Sequence, residues 1–186
     1  MKNSKTQKIV ISAVMIALAA VLSTIKVWEM PLGGSVTLLS MLPIVLISLC
    51  YGVKWGLTTS FFYALLQIFL DLGKLMSYGM TPSIWIGCLV FDYLLAYGSL
   101  GLAGLFRSHG SVGECGGITL ALLLRFISHV ISGSIFFAVF CPEGWNVFVY
   151  SIAYNGTYML PELIFTMTAA VLLLRVKSLK RFMANS

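Results

Sequence analysis

Four ionisable residues stand inside otherwise apolar stretches: Asp92, Arg125, His129 and Glu162. A charge at membrane depth is costly, so it faces a partner or a cavity. Arg125 and His129 are one i,i+4 step apart and share a helix face. Together with Asp92 they could lock helices through an Asp–Arg or Asp–His pair, move a proton, or orient a polar ligand. Tyr150, Tyr154 and Tyr158 recur every four residues, with Ser151, Asn155 and Thr157 among them. Such a tyrosine stripe can be core or an interfacial belt, but this one is unusually polar. A cavity lined by aromatics, an amide, an imidazole and a carboxylate suits a flat heterocycle. Ring faces stack, a few polar groups fix orientation, and a cationic ring is drawn to the carboxylate and the π faces.

Other chemistries lack their residues. There is no GxxxxGK[ST] loop, HExxH or GxSxG motif, and Cys50, Cys88, Cys115 and Cys141 form no CxxC pair or metal spacing. No cofactor or metal is expected. A membrane enzyme using His129 and Asp92 as acid and base would lack a nucleophile.

The elements that position these residues follow from composition. Of 186 residues, 59% are hydrophobic and only 10% charged, against about a quarter charged in soluble domains. A soluble domain of this size could not hide so much apolar side chain, so the chain reads as an integral membrane protein. Six apolar segments emerge: about Ile9–Val27, Leu38–Tyr51 (short for a span), Trp55–Leu72, Ser83–Phe106, Gly117–Phe140 and Val147–Leu174. Turn residues separate them: Pro31 with Gly33 and Gly34, Gly52, Gly79 with Pro82, the run from Ser108 to Ser111, and Pro142 with Gly144. The expected fold is all-α, a bundle of six transmembrane helices forming one domain over residues 1–186. The first segment follows Lys2, Lys5 and Lys8 as a signal peptide would. No small-residue cleavage site precedes Trp28, so it reads as a retained helix.

With six spans the termini share a side. That side holds Lys2, Lys5, Lys8, Lys54, Arg107, Arg175, Lys177, Lys180 and Arg181, and the opposite loops hold Lys26 and Lys74. The positive-inside rule then makes both termini cytoplasmic. The basic ends serve topology and lipid contact, not nucleic acid. On the first span Ala13, Ala17 and Ala20 form a small-residue face, a close-approach surface for a helix of this bundle or of another subunit.

The stretch from Gly33 to Ile44 (GGSVTLLSMLPI) resembles the loop and second helix of the substrate-binding S-components of energy-coupling factor (ECF) vitamin transporters, with the thiamine-specific branch nearest. So do Tyr51–Gly56 (YGVKWG), Asp92–Tyr97 (DYLLAY), Ser128-His129 followed by Ser132-Gly133, and Tyr154–Glu162 (YNGTYMLPE). The resemblance runs over nearly the whole chain. It implies a subunit of a bacterial plasma membrane that captures thiamine from outside and pairs with a transmembrane coupling subunit and two ATPases. Ala13, Ala17 and Ala20 would then be the docking face.

By the same resemblance the site residues are Asp92 beside Tyr93, His129, Gly133, Phe137, Tyr150 and Asn155, with Trp28 as part of a lid, and the tyrosine stripe adds Tyr154. Asp92 stands where the family usually has Glu, and Phe137 where it has a ring-stacking Trp. A shorter carboxylate and a weaker cation-stacking ring also suit pyridoxine or a hydroxymethylpyrimidine. A solitary small-molecule transporter is the remaining alternative.

Overall fold

The structure, a computed structural model, describes residues 4–184. Lys2, counted above with the basic termini, lies outside them, as do the side chains of Lys180 and Arg181. Helix α1 (Lys5–Thr24) starts ahead of the apolar run because Ser4 and Gln7 form a capping box: Ser4 Oγ accepts from Gln7 N at 3.2 Å, and Gln7 Oε1 accepts from Ser4 N at 2.9 Å. It ends at Thr24 rather than Val27, because the chain leaves it for a hairpin of β1 (Lys26–Glu29) and β2 (Ser35–Thr37). The strands pair antiparallel, with Trp28 opposite Val36. Helices were expected throughout, and this hairpin was not.

Helix α2 (Leu42–Tyr51) is buried along its whole length. It is shorter than the expected segment from Leu38, since residues 38–41 turn the chain out of the hairpin. Its 10 residues rise about 15 Å, roughly half the hydrocarbon thickness. It meets no lipid and needs no full span. The hairpin sits beyond its N-terminal end, and Arg107 Nη1 donates to the carbonyls of Leu49 (3.2 Å) and Cys50 (2.9 Å) at the other, a cation where the helix dipole favours one.

Helix α3 (Val53–Ser77) follows after Gly52, whose φ of 88° lets the chain reverse. Helix α4 covers residues 82–104 and is irregular. It opens as an α-helix from Pro82, widens to a π-helix over Leu89–Leu95, and tightens to 3₁₀ geometry over Ser99–Gly104. The tight end admits α2: Ser48 Oγ donates to Gly101 O at 2.5 Å and accepts from Gly104 N at 2.9 Å. Helix α5 (Gly110–Ile135) begins earlier and ends earlier than expected, so Phe137 lies just past its C-terminus. Helix α6 (Val147–Leu174) has the expected bounds and is capped by Asn146, whose Oδ1 accepts from Phe148 N and Val149 N. A short α7 (Lys177–Ala184) packs against α2 and α6.

The six longer helices form one bundle with α2 at its centre. Met41, Ile44, Val45, Leu49, Tyr63, Leu100, Ile118 and Leu122 make its core. Lys5–Thr24, Val53–Ser77 and Val147–Leu174 are each long and apolar enough to cross a membrane. The outward surface keeps large apolar residues such as Phe62, Phe69, Ile135 and Leu160 exposed, as a lipid-facing surface requires and a soluble one avoids.

Candidate functional site

A cavity of about 460 Å³ opens at the hairpin end of the bundle, within the usual size of small-molecule pockets. Its walls come from the end of α1, the hairpin and the turn after it, α3, α4, α5 and α6.

One organised group surrounds Asp92 on the π-helical stretch of α4. Such bulges recur at functional sites because the extra residue per turn re-aims side chains. Three donors converge on the Asp92 carboxylate. His129 Nδ1 lies 2.8 Å from Oδ1, Cys88 Sγ donates to Oδ2 at 3.2 Å, and Ser132 Oγ donates to Oδ2 as well. A carboxylate only accepts, so Nδ1 carries the His129 proton and Nε2 presents a lone pair. His129 Nε2 is buried and has no hydrogen-bond partner among the described residues, and His129 lines the cavity.

Asn155 is satisfied within the protein. Its Nδ2 donates to Ser151 O at 2.8 Å, and its Oδ1 accepts from Tyr158 Oη at 2.5 Å. Gly133 lies where α5 meets α6. A Cβ there would stand 2.3 Å from Ser151 Oγ, so any larger residue would have to displace that hydroxyl. Tyr150, Tyr154 and Tyr158 form a ladder with 6.1 Å between successive ring centroids. Tyr154 ties the ladder to the hairpin, accepting from Gly34 N at 3.1 Å and donating to Pro31 O. A Cβ on Gly34 would come within 2.7 Å of the Tyr158 ring, so the hairpin lies directly on α6. Phe137 meets Tyr78 edge to face at 6.2 Å.

Asp92, Tyr93, His129, Gly133, Phe137, Tyr150, Tyr154 and Asn155 all line this one cavity. Trp28 does not: it is 57% exposed on β1 and lies outside the cavity wall. Trp145 stands edge-on to Tyr150 at 6.4 Å.

The alternatives for Asp92 resolve toward His129, not Arg125. Arg125 instead holds its guanidinium over the Tyr97 ring at 4.0 Å, and its Nε and Nη1 have no hydrogen-bond partner among the described residues. Glu162 Oε1 accepts from Thr37 N (2.5 Å) and Thr37 Oγ1 (2.6 Å), anchoring the base of the hairpin to α6. Sequence reasoning marked Glu162 as costly in lipid but not as a hairpin anchor. It passed over Asp71 and Gln67 and took Lys74 for a loop charge, whereas all three stand on α3 and line the cavity. A period-3.6 reading of α3 with its other polar positions would have placed Gln67, Asp71 and Lys74 on one face.

At the mouth Lys26 Nζ donates to Glu29 at 2.5 Å, and Lys74 approaches the same carboxylate at 3.6 Å. The Lys26 hydrogen bond holds Glu29 below the ordinary carboxylate range. Among the described residues no group of His, Cys, Asp and Glu could hold a metal ion.

A bundle of membrane-length apolar helices around a polar, aromatic-lined cavity open at one end defines a multi-pass membrane protein for a small molecule. The chain belongs to the thiamine transporter protein family (Thia_YuaJ), whose model matches residues 9–182, and is thus a transporter rather than an enzyme. It is 37% identical over 166 residues to the thiamine transporter ThiT of Bacillus subtilis (strain 168), covering 82% of each chain. It is 29% identical over 99 residues to the ThiT of Lacticaseibacillus paracasei, covering 47% of this chain and 49% of that one. A solved structure of ThiT from Listeria monocytogenes superposes with a TM-score of 0.79 at 23% identity, over 97% of this chain and 99% of that one. The fold is therefore shared.

Proposed function

We propose that the chain is the membrane substrate-binding subunit of an ATP-driven ECF importer, taking thiamine from the extracellular side. The observation that carries this reading is the convergence of an oriented imidazole and an aromatic ladder in one cavity with its mouth at the Lys26/Lys74 end. Asp92, Tyr93, His129, Gly133, Phe137, Tyr150, Tyr154 and Asn155 form the pocket. His129 Nε2 is an acceptor suited to an exocyclic amine, and Phe137, Tyr78 and the tyrosine ladder offer ring faces. The hairpin, carrying Trp28, is the lid. The basic residues at the other end favour cytoplasmic termini by the positive-inside rule.

Transport then needs partners. Ala13 and Ala17 are exposed and Ala20 half-buried on α1, which favours a face for another subunit over one used inside the bundle. Small residues there admit a coupling-subunit helix at close range. Two ATPases behind that subunit would drive release inward.

The test is intrinsic tryptophan quenching of the purified full-length chain by thiamine, pyridoxine and hydroxymethylpyrimidine. Sub-micromolar thiamine binding without ATP is the expected result. Tight pyridoxine binding with no thiamine binding would move the substrate and leave the subunit class intact. Substrate flux into vesicles holding this chain alone would favour a solitary transporter.

A further inference from the structure

Three carboxylates line the cavity; Glu162 anchors the hairpin through Thr37, and the other two, Asp92 and Asp71, are used differently. Asp92 is spent on protein donors: His129 Nδ1 and Cys88 Sγ reach it at 2.8 Å and 3.2 Å, and Ser132 Oγ also donates. Its charge is already answered by hydrogen bonds, and its short side chain holds it among them. Asp71 on α3 lines the same cavity. Its Oδ2 accepts one bond, from Tyr93 Oη at 3.1 Å, and Oδ1 accepts none among the described residues. Lys74, one turn along, is drawn to Glu29 instead. No Lys, Arg or His among the described residues stands within ion-pair distance of Asp71.

Depth separates the two as well. Asp71 is six residues from the hairpin end of α3, about 9 Å along the axis, and Asp92 is ten residues from the start of α4, about 15 Å. The tilted Tyr93 and Tyr97 rings, 6.0 Å apart, lie beside Asp71 and add π faces to the same wall. An unanswered carboxylate beside aromatic rings in a cavity attracts an organic cation.

We infer that Asp71, not Asp92, is the counter-ion that selects a positively charged ring in the outer half of the cavity, while Asp92 acts through His129 as a positioning residue. This rests on the thiamine reading, because thiamine carries a permanent cation on its thiazolium ring. Tyr93 holds the Asp71 carboxylate in place through its hydroxyl. Neutral heterocycles gain nothing from Asp71, so the residue sets specificity for charge rather than for shape.

The experiment compares thiamine with its neutral isostere 3-deazathiamine, in which carbon replaces the ring nitrogen, by calorimetry on the full-length chain. In Asp71→Asn, thiamine affinity should fall about ten- to hundredfold, the range for one charge-assisted contact. Affinity for the neutral isostere should stay within about threefold, which also reports that the variant is folded. Asp71→Glu should restore most of the preference for the cation. Equal losses for both ligands, or no loss for either, overturn the inference while wild-type binding keeps the thiamine reading. A wild-type chain that binds neither ligand overturns both.

Discussion

Asp92→Asn separates an orienting role from a merely structural one. The substitution keeps the shape of the side chain and removes one acceptor. If the amide oxygen faces Ser132 and Cys88, the amide NH₂ faces His129 Nδ1, which must give up its proton and become the acceptor. The proton then moves to Nε2, and the cavity sees a donor where it had a lone pair. If the amide turns the other way, its NH₂ displaces a carboxylate oxygen that accepted from Ser132 Oγ and from Cys88 Sγ at 3.2 Å. Either way one charge-assisted hydrogen bond is lost, worth about 1.5–3 kcal/mol. Ligand affinity should fall roughly 10- to 150-fold. The loss should be alike for thiamine and its neutral isostere, because it acts through His129. Ser132→Ala removes a donor but leaves the tautomer, and should cost affinity no more than about fivefold. Calorimetric titration of each variant, with thermal melting as the folding control, gives the comparison. A folded Asp92→Asn chain with wild-type affinity would refute the reasoning, and so would a Ser132→Ala loss equal to that of Asp92→Asn.

Glu162→Gln should loosen the hairpin, since Thr37 N and Oγ1 lose a charged acceptor. We expect ligand dissociation about tenfold faster in stopped-flow fluorescence, with association little changed. Glu29→Gln should speed dissociation modestly at neutral pH by releasing Lys26 and Lys74. Because Glu29 is held below its ordinary value, its contribution is present at and above the usual carboxylate range and fades as pH falls through the lowered one. The difference from wild type should therefore vanish well below pH ~4. Ala13→Trp and Ala17→Trp should leave ligand binding intact and abolish ATP-driven uptake in vesicles reconstituted with coupling and ATPase subunits. Full uptake would remove that face from docking.

The sequence alone determined a good deal. Hydrophobicity at this density admits a membrane bundle and little else, and the helix bounds of Val147–Leu174 are legible because Pro142 and Gly144 precede a long, mostly apolar segment. The rarity of charge in lipid marked Asp92, Arg125, His129 and Glu162, since a residue so costly must have a use. Three-dimensional packing decided what each one does. Asp92 met His129 rather than Arg125 because the π-helical turn rotates it toward α5, and hydropathy does not report a π-turn. Arg125 found an aromatic face, an interaction without any sequence spacing. The hairpin was invisible because two strands this short carry too little alternation to compete with the apolar runs around them. Asp71 was missed for a similar reason. It lies in an apolar helix near a loop, where a carboxylate reads as an ordinary end-of-span residue until the opposite wall brings Tyr93 to it. Composition sets the solvent in which a chain folds, but which buried charge answers which depends on contacts between residues far apart in sequence.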